Sequence, residues 1–394
     1  MDGRSQQALG LLCAAQFMLV LDASIVAVAL PSLQLGLEIP DRDLQYTITL
    51  YALTYGGFLV LGGRIADRWG RRRTFMTGLA AFGLASLGCG LAPSATALLV
   101  ARAVQGAGAA LTSPAALALL LDRFGQPDER TAAIGAWGAV SAAGGAAGLV
   151  AGGVLTDTLG WRSVFLINVP VCLVGISLAP RWLQEARGPR EPLDLLGAVL
   201  VTAGLASLLF GLTALESQGL DAGSSGGALL AASVLLTAFA ARLISARHPL
   251  VPLALFRRGR VTAANLTAAT LAALIAAQNF FGSLTLQRVF GLSALLTGLA
   301  ILPVTLFAFA GSAMAGTVER RLGRPLALAG SLAGMGVGFA LLSGLSAQSS
   351  PWSVVPGFSA FGLGLGVGFV LVTEAATEGV DANLRGLASG MVNT

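Results

Sequence analysis

Gly63-Arg64-Ile65-Ala66-Asp67-Arg68-Trp69-Gly70-Arg71 is echoed far down the chain by Gly316-Thr317-Val318-Glu319-Arg320-Arg321-Leu322-Gly323-Arg324. Gly63, Arg68, Gly70 and Arg71 match Gly316, Arg321, Gly323 and Arg324 at one constant offset, with the acid displaced by one place. Each copy sits between two apolar blocks of roughly 20 residues, the length that crosses a bilayer as a helix. The surrounding chain is built the same way. Hydrophobic residues make up 55% of it, charged residues 11%, and mean hydropathy is +0.79. A soluble domain carries about 25% charged residues, so this chain is a lipid-embedded, all-α polytopic protein. Helices suit that setting because lipid offers no partner for an open backbone group.

Twelve complete spans are expected, at about 9–31, 46–63, 74–92, 95–121, 131–155, 163–180, 193–215, 226–246, 262–284, 292–316, 325–346 and 352–374. All 24 cationic side chains are arginines. Arg42, Arg162 and Arg288 fall in odd-numbered loops, Arg102 lies inside a span, and the remaining twenty fall at the N-terminus and in even-numbered loops. The positive-inside rule therefore places the N-terminus and even loops in the cytoplasm of a cell inner (plasma) membrane protein. A net charge of +5 carried in this way fits lipid headgroups and gives no reason to expect a nucleic-acid partner.

The two copies lie eight spans apart. That spacing predicts two related six-helix bundles with two helices inserted between them: residues 1–180, an inserted pair over 181–260, and a second bundle over 261–394. Six, two and six require fourteen spans. The segment 385–394 reads as the opening of span 13, so the second bundle is expected to be incomplete.

Cys13, Cys89 and Cys172 fall in three separate apolar spans with no metal-ligand spacing, and the single histidine is His248 in a loop. These are read as small core cysteines, with no metal, no cofactor and no enzymatic centre expected. There is no lysine, hence no phosphate-cradling loop ending in Gly-Lys-Ser or Gly-Lys-Thr.

Isolated polar residues within the spans carry what chemistry there is. Asp22 stands two-thirds of the way along span 1, where burial penalises its charge. That makes it a candidate reversible proton carrier, or else a fixed helix–helix partner. Arg102 cannot release a proton. It is either a functional charge that holds a carboxylate ionised or a residue that snorkels to the outer headgroups. Gln105, one turn along, joins Gln278 and Asn279 of span 9 and Glu374 of span 12 as candidate cavity groups. Glu374 reads equally as an ordinary boundary acid. The residues Gly63, Asp67, Arg68, Gly70 and Arg71, with Gly316, Arg321, Gly323 and Arg324, form a candidate conformational latch that also anchors topology. Gly135, Gly144, Gly148, Gly152 and Gly153 clear side chains from one strip of span 5, a candidate sliding seam or a static close packing. Asp157, Trp161, Arg162, Asn168 and Pro170 mark a candidate outer gate.

Four of these stretches together resemble the fourteen-span drug:proton antiporter branch of the major facilitator superfamily, the EmrB/QacA-type multidrug exporters. They are Leu21-Asp22-Ala23-Ser24-Ile25-Val26-Ala27-Val28-Ala29-Leu30-Pro31, the 63–73 loop, Arg102-Ala103-Val104-Gln105-Gly106-Ala107-Gly108, and the span 5 glycines running into Gly160-Trp161-Arg162 and Asn168-Val169-Pro170. One departure stands out: Leu149 occupies the position where that family's antiporter pattern has proline. The resemblance implies a secondary transporter. It would export hydrophobic or amphipathic small molecules in exchange for protons, by rocking two bundles about a midplane site. Its partners would be a small-molecule substrate, protons and membrane lipid; oligomeric state is not legible. A nutrient symporter or facilitator, or a non-transporting truncated membrane protein, are the competing readings.

Overall fold

A computed structural model of the protein describes residues 3–124, 126–188, 194–218, 225–247, 249, 259–346 and 348–377. The segment read as the start of span 13, and His248, lie outside the described residues. Among those described, the regular structure is entirely helical. In chain order the helices are α1 (Gly3–Leu37), α2 (Asp41–Leu44), α3 (Tyr46–Trp69), α4 (Arg71–Gly90), α5 (Ala95–Arg123), α6 (Pro127–Leu159), α7 (Ser163–Leu166) and α8 (Asn168–Trp182). They continue as α9 (Leu195–Gln218), α10 (Ser225–Ser245), α11 (Gly259–Leu284), α12 (Ala294–Leu322), α13 (Arg324–Ser343) and α14 (Val355–Thr377). A π-helical turn, Thr285–Val289, prolongs α11.

Among the described residues, eleven helical segments are long and apolar enough to cross a membrane, one fewer than the sequence suggests. The exception is α4. Its first turn is Arg71-Arg72-Arg73, and small residues fill much of the remainder, so composition alone does not mark it. Packing does, because α4 lies along α5 in one of the most extensive helix contacts in the molecule. Most helices overrun their apolar blocks by a few residues at one or both ends. Span 6 runs through α7 and α8, and Ile167 between them keeps a helical conformation.

The ends are set locally. Ser94 and Ser293 cap α5 and α12, each hydroxyl accepting from the backbone N–H three residues on, at 3.3 Å. Gly70 and Gly323 adopt φ of 125° and 76° between consecutive helices, a region that L side chains enter with strain. These are the matching glycines of the repeated motif, so the sequence repeat is a repeated helix–glycine–helix turn.

Packing repeats as well. α5 gathers α3 and α4 in the first bundle, and α14 gathers α12 and α13 in the second. α9 and α10 pack chiefly on each other and reach the remainder through α3. Asp194 holds that hairpin, accepting from the Gly197 N–H at 2.9 Å and from Arg242 at 2.6 Å. Apolar side chains such as Leu84, Val100 and Phe309 point outward, as lipid requires.

Candidate functional site

Five helices bring polar side chains to one point inside the first bundle. Asp22 on α1 is fully buried and is the centre of the group. Its Oδ2 accepts from Arg102 Nη1 of α5 at 2.9 Å. Its Oδ1 accepts from Gln105 Nε2 at 2.9 Å and from Asn168 Nδ2 of α8 at 2.6 Å. Gln105 accepts from Arg102 Nη1 at 2.5 Å and donates to Ser86 Oγ of α4 at 2.7 Å. From α3, the Thr47 carbonyl accepts from Arg102 Nε at 2.9 Å, and the Tyr51 ring faces the guanidinium at 4.3 Å. Phe165 of α7 closes the other side at 5.7 Å.

A buried ion pair must recover a large desolvation cost through geometry and extra hydrogen bonds. This one does so with neutral amides, a backbone carbonyl and an aromatic face. Arg102 therefore does not snorkel; it is 1% exposed and turned inward. Gln105, expected on a cavity wall, is wholly buried in the same cluster, because it sits one turn from Arg102 on the same face of α5. Asn168, expected at an outer gate, also belongs here. It stands at the first position of α8, which packs on α1, and its amide meets Asp22. Ser86 and Thr47 were not singled out from sequence. Ser86 is one of many small hydroxyl residues in membrane helices, and Thr47 contributes a backbone carbonyl, which its side-chain type does not announce.

The other expected groups scatter more widely. Gln278 is buried on α11, and its Nε2 has no hydrogen-bond partner among the described residues. Neighbouring Asn279 is half-buried. Glu374 lies at the arginine-rich end of α14 with Arg324 at 3.9 Å, in the position that Asp122 holds at the end of α5. It is thus placed with the latch residues and not on an interior wall.

At the first latch, Arg71 donates to Asp67 from Nε at 2.9 Å and Nη2 at 2.6 Å, and its Nη1 bonds Asp122. Burial opposes the Arg71 charge, but the hydrogen bonds to Asp122 and Asp67 outweigh it and hold its pKa above the ordinary value. At the second latch, Arg324 donates to Glu319 at 2.7 Å. Arg68 and Arg321 are exposed, Gly63 packs loosely beside Pro114, and Gly316 touches only the Arg320 side chain. Residues 183–188 lie across the first latch. The Ala186 carbonyl accepts from the Arg71 N–H at 2.9 Å, and the Gly188 N–H donates to the Asp67 carbonyl at 3.1 Å.

The α6 glycines divide between two partners. Gly144, Gly148 and Gly152 press on α1, where an added Cβ would lie 2.8 Å from the Phe17 carbonyl oxygen, 2.7 Å from that of Leu21 and 2.8 Å from that of Ile25. Gly153 meets the first turn of α12 in the other bundle, and Gly298 of α12 sits on the Leu149 carbonyl. Gly135 has open space around it.

Near the arginine-poor face, several hydrogen bonds join the bundles. Asp157 accepts from the Ala294 and Leu295 N–H groups at 3.2 and 3.0 Å, at the start of α12. Ser283 and Gln287 donate to the Ala27 and Val28 carbonyls of α1 at 2.6 and 2.9 Å. Arg288 reaches Asp41 at 2.7 Å and bonds Gln34. Beside them Arg162 stacks on Trp161 at 4.2 Å and donates to the Ala92 carbonyl. Pro170 lies exposed in the first turn of α8, where its missing N–H costs nothing.

A family model described as Major Facilitator Superfamily matches residues 12–394. The chain belongs to the major facilitator superfamily. It is a multi-pass membrane transporter of this superfamily and not an enzyme. Among curated relatives, it is 37% identical to the puromycin resistance protein pur8 of Streptomyces alboniger, over 100% of this chain and 79% of that protein. It is 38% identical to the cephamycin export protein CmcT of Amycolatopsis lactamdurans, over 98% of this chain and 81% of that protein. The tetracenomycin C resistance and export protein of Streptomyces glaucescens is 35% identical, over 95% of this chain and 70% of that protein. Among solved structures, the in meso structure of the transporter PepTSo superposes with a TM-score of 0.73 at 15% identity, covering 98% of this chain and 86% of that one. The D-xylose-proton symporter gives 0.66 at 12%, over 98% and 85%. At these identities the structural matches speak for the superfamily fold.

Proposed function

We propose that this protein exports hydrophobic or amphipathic small molecules (drugs, antibiotics or secreted metabolites) in exchange for protons, by alternating access. On this reading it belongs to the fourteen-span drug:proton antiporter branch of the superfamily and sits in the inner membrane with its N-terminus in the cytoplasm. The single observation that carries the proposal is the buried Asp22, the one carboxylate in the cluster, to which Arg102, Gln105 and Asn168 donate. The printed names of the curated relatives, resistance and export proteins, support the direction and the kind of substrate.

The mechanism follows from the contacts. While charged, Asp22 ties α1 to α5 and α8. A proton added to it cancels the charge that Arg102 faces and loosens that tie. The same helix, little more than a turn further on, offers the Ala27 and Val28 carbonyls to Ser283 and Gln287 of the second bundle. Neutralising Asp22 thus acts on the rod that also holds the arginine-poor face shut. The glycine strip of α6 lets α1 shift as a smooth surface, while the Arg71 and Arg324 contacts, already made in this state, hold the arginine-rich turns.

The test is proton-gradient-dependent uptake of a fluorescent dye into inverted vesicles, where export from the cytoplasmic face fills the lumen. The wild-type protein moves dye in response to a proton gradient and stops when an ionophore collapses it; Asp22→Asn is inert. Dye movement in Asp22→Asn that still follows the gradient would remove Asp22 from the mechanism.

A further inference from the structure

The Asn168 amide has two ends in unequal surroundings. Its Nδ2 donates to Asp22 Oδ1 at 2.6 Å and lies 3.5 Å from Ser86 Oγ. Its Oδ1 is buried and has no hydrogen-bond partner among the described residues. A buried oxygen without a donor is costly, and native structures rarely leave one without a reason.

The chemistry of the neighbour supplies one. As a carboxylate, Asp22 only accepts, and the cluster meets it with three donors. As a carboxylic acid it must also donate. Arg102 has no acceptor to offer. Gln105 Oε1 already takes the Arg102 hydrogen bond at 2.5 Å, and Ser86 Oγ already takes that of Gln105 at 2.7 Å. Of these acceptors, the one with no donor at all among the described residues is Asn168 Oδ1. A half-turn of the amide about its terminal bond exchanges oxygen and nitrogen in place, with almost no change in shape.

We propose that Asn168 is a positioning residue for the proton step. Its amide donates to Asp22 when the carboxylate is charged, and turns over to accept the carboxyl O–H when the proton is bound. A hydronium ion gives the proton to Asp22 Oδ1: one O–H bond breaks in the ion, one forms on the carboxyl, and neutral water is left. The proposal rests on the reading that Asp22 carries the transported proton. The other titratable groups around the cluster are Tyr51 of α3, with Tyr55 stacked beyond it, Cys89 of α4 at 3.8 Å from Gln105 Oε1, and Cys172 of α8. Among the described residues they bring no second acid to Asp22.

Infrared difference spectra between neutral and acidic pH test this on the purified full-length protein. The wild type should show a carboxyl C=O band on acidification that Asp22→Asn lacks. In Asn168→Leu that band should move to higher frequency, because its O–H has lost its acceptor. With isotope-labelled asparagine, one side-chain amide band of the wild type should shift in the same acid step. The chain has five asparagines, and this labelled band should vanish in Asn168→Gln, which keeps an unlabelled amide. The labelled wild type needs no substitution, so a misfolded Asn168→Leu leaves the test intact. An Asp22 band at the same frequency in Asn168→Leu, or an asparagine label silent to acid, overturns the role of Asn168 alone. A wild-type spectrum with no band lost in Asp22→Asn overturns the proton-carrier reading itself.

Discussion

Replacing Asp22 by leucine leaves the Arg102 guanidinium in the interior of the first bundle without its counter-charge. Breaking a buried pair from one side typically costs about 3–5 kcal/mol. Arg102 keeps its bonds to the Thr47 carbonyl and to Gln105, and the Tyr51 ring face, so the loss should fall toward the lower figure. Gln105 and Asn168 each lose one acceptor as well. Removing both charges, with Asp22→Leu and Arg102→Met together, eliminates the uncompensated ion. What remains is the cost of the amides left short of partners, about 1–3 kcal/mol. The double variant should therefore be more stable than Asp22→Leu alone, and the cycle should show a coupling on the order of 2 kcal/mol. Unfolding of the purified protein in detergent, followed by tryptophan fluorescence, measures all four corners. Additive losses within about 0.5 kcal/mol would refute the claim that Asp22 and Arg102 compensate each other in the fold.

Other contacts make equally specific predictions. Gly148→Val should lower folded yield and transport together, by an overpacking penalty of about 1–3 kcal/mol, since its Cβ would press on the Leu21 backbone carbonyl. Gly135→Ala, with open space around it, should be neutral or slightly stabilising in the same thermal unfolding assay. Asp157→Ala removes the carboxylate that caps α12 from the other bundle. At about 1 kcal/mol for a lost cap, the arginine-poor face should open roughly fivefold more often. Spin labels at Leu35 and Val289 would report this as a larger long-distance population; an unchanged distribution would mean that Asp157 does not hold the bundles together. Arg71→Ala and Arg324→Ala should both slow transport without loss of folded protein, because they occupy equivalent turns; a defect confined to one would argue that the repeat is not functionally paired.

Much of this architecture was legible in the sequence because it rests on local or periodic signals. Apolar block length gave the spans, arginine alternation divided the loops into two faces, and Gly70 and Gly323 marked the two equivalent turns. α4 was legible as a span from its place in that alternation although its composition is weak. The chemistry was only half legible. Asp22 and Arg102 stood out as ions in apolar runs, but their meeting depends on helix rotations that no linear pattern encodes. Asn168 stands near the end of a span and reads as a boundary group; that its amide meets Asp22 depends on how α8 packs on α1. Glu374 was ambiguous because its partner Arg324 is fifty residues away on another helix. The split loyalty of the α6 glycines, three to α1 and one to α12, is invisible in their spacing, since adjacent positions 152 and 153 face different partners.

The most direct test reconstitutes the purified protein in liposomes with a pH-sensitive dye inside and imposes a substrate gradient alone. The account predicts proton movement opposite to the substrate in the wild type and none in Asp22→Asn. Proton movement of equal size in Asp22→Asn, or substrate flux without any proton movement in the wild type, would contradict it.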